Sequence, residues 1–254
     1  MNGARLQRRS RTRGARRSGS RFLRLIQSRH RYVPGTVFAI AAKDLRVEAR
    51  GRYAAGMAVP FAATLLIAFG LSLGPGRTLL EATAPGLLWL AVLFAATLLA
   101  RRAWEAEAED GALEGLVLAP VDKSAVFAGK AVALSVQLLA LEVAVLAMVA
   151  VLFGLPVAGN PPVLAAALVL GTIGLAGVSS LFGVLAVMPR SREAVLPLLV
   201  MPVATPALIA GVKATALATA GRGGDAGAWL GLLAAFDLVL VAAGLLVFEQ
   251  LVED

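Results

Sequence analysis

Eight carboxylates stand where they could do chemistry. Glu105, Glu107, Glu109, Asp110, Glu114 and Asp122 crowd into residues 101–124, and Glu142 and Asp237 sit inside long apolar runs. Other reactive groups are scarce. The chain has no cysteine, so it has no disulfide framework, thiolate metal site or cysteine nucleophile. Its one histidine, His30, excludes multi-histidine metal or haem ligation within the chain. No G-x-x-x-x-G-K-[ST] phosphate loop is present, so nucleotide hydrolysis has no seat here. The expectation is a non-catalytic chain with no metal site and no directly bound cofactor.

An acid inside an apolar span is costly and marks function by default. Glu142 and Asp237 therefore invite proton coupling or substrate contact. The structural alternative is a protonated or hydrogen-bonded carboxyl that only holds helices together. Lys130, near one end of its run, can snorkel its ammonium to the surface.

The acid-rich stretch has its own periodicity. Leu113, Leu116 and Val117 share one helical face, while Glu107, Asp110 and Glu114 share another, and Pro120 stops the helix. A short helix with one apolar and one acidic face suits docking into a groove on a soluble partner. A membrane-surface helix with a solvated acidic face is the alternative, but acids facing an anionic leaflet are unfavourable. Trp104 reads as an interfacial anchor.

These residues need elements to position them, and the composition says which. The 254 residues are 59% hydrophobic and only 16% charged, a balance that points to lipid. Apolar runs at 54–73, 82–100, 125–153, 163–188, 194–212 and 226–248 are each long enough to cross a bilayer. Gly74-Pro75-Gly76, Arg101-Arg102, Gly154-Leu155-Pro156 and Pro189-Arg190 break the runs. Pro197, Pro202 and Pro206 kink the fifth. The fold class is an all-α integral membrane protein with six transmembrane helices.

The charges are segregated. Of 24 Lys and Arg, 15 precede Ala54, and residues 1–33 contain no acid. That segment is expected to be a basic, disordered arm drawn to anionic lipid, with nucleic acid not among its partners. Residues 34–254 form a single membrane domain in this scheme. Within it, 34–53 is an amphipathic helix at the interface, carrying Phe38, Ile40, Leu45 and Val47 among charges. With the N-terminus inside, the outer loops hold only Arg77, Lys213 and Arg222. The positive-inside rule places both termini in the cytoplasm and the chain in the cytoplasmic membrane as a multi-pass protein.

Residues 84–120, APGLLWLAVLFAATLLARRAWEAEAEDGALEGLVLAP, resemble the CcmB family, the membrane subunit of the haem-exporting ABC transporter of cytochrome c maturation. Ala84-Pro85-Gly86 and Trp89 match the family's pattern, as do Asp110-Gly111, Leu113-Glu114 and Pro120, with Ala112 where serine is usual. Lys130, Leu170-Gly171-Thr172 and the run from Val195 to Pro206 also match. The resemblance covers about 38–216; the arm has no counterpart, and Glu142 stands where the family is apolar. It implies a permease moved by a separate cytoplasmic ABC ATPase, which carries the ATP. It also implies a haem-handling membrane partner and a haem chaperone, so that haem enters only through partners, and a homodimer or hetero-oligomeric complex in the bilayer. In that scheme Glu105, Glu107, Glu109, Asp110, Gly111, Leu113, Glu114, Leu116, Val117 and Pro120 belong to the coupling helix. A proton-coupled carrier built on Glu142 and Asp237, or an ABC exporter permease for another substrate, stays open.

Overall fold

The computed structural model describes residues 34–109, 123–187 and 195–251, and every regular element among them is helical. The basic arm and the second half of the acid-rich stretch lie outside the described residues.

Helix α1 (Pro34–Gly51) opens with proline, whose missing N–H costs nothing at a helix start. Val37, Ala41 and Asp44 are spaced i, i+4, i+7, and this stripe faces the bundle, leaving Phe38 exposed on the other side. Phe38 is exposed, whereas Val47, nine residues on and so on the opposite flank of the helix, is half-exposed and borders a cavity beside α1. The chain turns at Arg52, whose φ of 52° is left-handed, and the Glu48 carboxylate accepts the Ala54 N–H at 2.6 Å to secure the corner. A π-helical turn, Ala54–Ala58, leads into α2 (Val59–Leu73), which Gly74 ends at a φ of 73°.

The remaining helices are α3 (Arg77–Glu109), α4 (Lys123–Phe153), α5 (Pro161–Val187), α6 (Val195–Thr219) and α7 (Gly227–Leu251), with a 3₁₀ turn at Gly223–Ala226 before the last. Six helices are long and apolar enough to cross a membrane. This is a multi-pass membrane protein. Helices α3 and α5 form the centre, with 61% of their spanning windows buried, whereas α2 and α7 lie at the edge with 17% and 22%.

Two helix ends differ from expectation. Arg101 and Arg102 do not stop α3, which runs on to Glu109. Arg is a good helix former, and Arg101 donates to Glu105 at 2.6 Å, one turn ahead. Likewise α6 continues through Lys213 to Thr219, because no breaker intervenes before Gly221. Lys213 is therefore a helical residue near the end of a span.

Candidate functional site: a charge cluster beside the acid-rich segment

Where α3 departs into 110–122 and α4 returns from it, four charged side chains meet. Lys130 Nζ of α4 lies 3.1 Å from Asp44 Oδ2 of α1 and 3.1 Å from Glu107 Oε1 of α3. Lys43 of α1 donates to the same Glu107 oxygen and lies 3.4 Å from Asp44 Oδ1. The side chains of Lys130, Glu107 and Asp44 are 3%, 8% and 10% exposed, whereas Lys43 is 53% exposed and closes the outer side. Burial drives the Lys43 pKa down, but the Glu107 hydrogen bond and the charges of Asp44 and Glu107 outweigh it and raise it overall.

Lys130 does not snorkel. Its ammonium also donates to the Ala103 carbonyl at 3.3 Å and sits 4.8 Å over the Trp104 ring. An ammonium with two carboxylates, a carbonyl and an indole face around it gains nothing by reaching for water. Trp104 is correspondingly not an interfacial anchor: it is 1% exposed, and its N–H donates to the Ser180 carbonyl of α5 at 3.1 Å. The cluster thereby ties α1, α3, α4 and α5 together at one end of the bundle.

The expected coupling residues divide. Glu107 is buried in the cluster and is not part of a solvated acidic face. Glu105 pairs with Arg101 on the surface of α3. Glu109 ends α3, and Asp110, Gly111, Leu113, Glu114, Leu116, Val117 and Pro120 lie outside the described residues.

Glu142 and Asp237 stand apart from each other, on either side of α5. Thr172 of α5 donates to Glu142 Oε1 at 2.5 Å, while Oε2 is buried without a partner among the described residues. Asp237 packs against Gly174 of α5, and neither of its carboxyl oxygens has a partner there. No group of three or more candidate metal ligands occurs among the described residues.

Trp89 anchors the centre. Its ring fills the space between Gly171 of α5 and Gly211 of α6, where a Cβ would come within 2.0 Å and 2.7 Å of ring carbons. Its N–H donates to Thr215 Oγ1 at 3.0 Å. Thus a tryptophan, two glycines and a threonine from three helices make one buried joint.

The sequence profile described as CcmB protein matches residues 35–251. The chain belongs to the CcmB family. Heme exporter protein B of Rhodobacter capsulatus is 33% identical over 177 residues, covering 69% of this chain and 80% of that protein. Heme exporter protein B of Paracoccus denitrificans is 32% identical over 207 residues, covering 80% and 92% respectively. That of Pseudomonas aeruginosa is 32% identical over 190 residues, covering 73% and 85%. The match to the CcmB profile includes α7, so the relationship runs further than the motifs between 38 and 216. It begins at residue 35, one position into α1, and leaves the basic arm outside.

Lys43 and Asp44 were missed as site residues by sequence reasoning. A signal existed for Asp44: it continues the Val37–Ala41 stripe and so faces the bundle. A lysine in an apolar run, Lys130, needed such a counter-ion.

Proposed function

We propose that this chain is the membrane subunit of an ABC-type haem exporter, moved by a separate cytoplasmic ATPase that engages the acid-rich segment after Glu109. Its family membership and the haem exporters among its relatives support haem export. The observation that carries the coupling half is the charge cluster. Helices α3 and α4 flank residues 110–122 in the sequence, and Glu107 and Lys130 bind those two helices to each other and to α1. A displacement delivered to that segment meets a fastened set of helices and moves them as a unit.

In this scheme the α1 end of the bundle faces the cytoplasm, the chain sits in the cytoplasmic membrane, and both termini are inside. ATP is bound by the partner. A haem-handling membrane protein and an external haem chaperone complete the complex, and a second copy or another subunit covers α2 and α7. Haem itself is handled by partners.

The test is co-purification from membranes of the native chain and of the Asp110→Lys/Glu114→Lys double variant. An ATPase that accompanies the native chain and is lost from the variant is the expected result. Failure of any ATPase to associate with either form would overturn the ABC assignment. A proton-coupled carrier is the second reading, favoured by Glu142 Oε2 and both Asp237 carboxyl oxygens, which are buried without a partner among the described residues. It requires transport in vesicles that persists without ATP and disappears in Glu142→Gln or Asp237→Asn.

A further inference from the structure

Beside the charge cluster, a cavity of about 260 Å³ opens between α1 and the α3–α4 pair. Its walls carry three carboxylates, Asp44, Glu48 and Glu107, and two cations, Lys43 and Arg102. Lys130 stands just behind, bonded to Asp44 and Glu107, so among the described residues three cations face three carboxylates. The remaining lining is amphiphilic. Val47, Leu99, Ala103 and Ala106 supply apolar surface, and Gln137 and Tyr53 supply hydrogen-bonding groups. The Arg102 guanidinium lies 4.9 Å over the Tyr53 ring.

The setting selects the class of occupant. Helix α1 carries five charged residues immediately before the first span, a pattern that places the space between it and the spans at headgroup depth. At about 260 Å³ the cavity is many times what one water needs and has room for a small polar headgroup. Tyr53 forms a wall, and beyond it Met57 of the π-helical turn and Phe61 of α2 are 44% and 43% exposed. Acyl chains hung from the cavity would lie along these two side chains. Carboxylates line the same walls as the cations and oppose a purely anionic headgroup. Mixed signs instead accommodate a phosphate and an ammonium at once.

We propose that this cavity is a binding site for a zwitterionic phospholipid, with the phosphate held by Lys43 and Arg102 and the ammonium by Glu48 and its neighbours. The phospholipid fills the gap beneath α1 and fastens that helix to the spans. The preference is opposite to that of the basic arm, whose arginines attract anionic lipid.

The experiment is native mass spectrometry of the full chain released from nanodiscs of equimolar phosphatidylethanolamine and phosphatidylglycerol. One tightly retained phosphatidylethanolamine per chain is expected. Ala106→Phe fills the cavity and should abolish retention. Glu48→Gln keeps an acceptor oxygen for the Ala54 N–H, so the corner stays intact. It should lower retention about fivefold, the discrimination one partly exposed charge contact provides. Monodisperse elution and native helical content are required of both variants, and Glu48→Gln carries the test if the larger side chain disturbs folding. Equal retention of the two lipids, or retention indifferent to both substitutions, overturns the proposal. Displacement of the lipid by soluble phosphoethanolamine without acyl chains overturns it too, by assigning the site to a free solute.

Discussion

At the scale of single residues, the buried ions make the sharpest claims. Lys130→Met strips Asp44 and Glu107 of their buried cation and leaves them only the half-exposed Lys43, and breaking such a buried pair costs about 3–5 kcal/mol. Denaturant unfolding in mixed micelles should show that loss, and the double variant Lys130→Met/Glu107→Gln should recover part of it. An unchanged midpoint would remove the cluster from the account of the fold. Lys43 gives a pH signature. Its pKa is raised in the folded chain, so its stabilising contribution is complete below the unfolded value of 10.5 and is lost as pH rises through the higher folded value. Stability measured from pH 8 upward should fall more steeply at the alkaline end in the native chain than in Lys43→Met. These pairings were only partly legible in the sequence. The Asp44 spacing announced a residue facing inward, but Lys43 meets Glu107 across 64 positions and Lys130 meets Asp44 across 86. Nothing local links them; the helix packing has to be known first.

At the scale of helices, the spans themselves were legible because lipid leaves few options. Long apolar runs bounded by Gly-Pro breaks must be helices, since no water is available to satisfy the backbone. Their ends were less legible, because a charged residue stops a membrane run without stopping a helix. Arg101 and Lys213 both illustrate this. Packing between the helices depends on where small residues fall. A methyl group at Gly211 would lie 2.7 Å from the Trp89 ring, which cannot step aside between two helices. Gly211→Ala should therefore destabilise by about 1–3 kcal/mol, despite alanine's better helix propensity. Gly231 of α7 has nothing within 4 Å of the same position, and Gly231→Ala should be neutral or slightly stabilising. Thermal unfolding of the two variants side by side checks the contrast; equal shifts would deny Trp89 its part as the central joint.

At the scale of the whole molecule, the proposed topology puts the N-terminal arm in the cytoplasm and the turn after α4 on the outer side. The complete absence of cysteine makes this directly measurable. Ser10→Cys and Ala158→Cys should react with a membrane-impermeant maleimide from opposite faces of sealed vesicles, the first from the cytoplasmic face. Labelling of both from one face would contradict the arrangement. The buried share of each helix also sets expectations for assembly. Helices α3 and α5 are the most enclosed, and among the described residues the edge helices α2 and α7 leave the largest share of their spans open to other subunits.

The position of Trp104 has an optical consequence. Its indole lies under the Lys130 ammonium, dry and fixed by its N–H bond to Ser180. Charge density shifts across an indole on excitation, so a nearby cation changes the energy of the emitted light. Any event that lifts α4 away from α3 would withdraw that cation and alter the colour of Trp104's fluorescence. With Trp229 replaced by phenylalanine and Trp89 left in its joint as a constant background, the chain would report on that separation without an added dye.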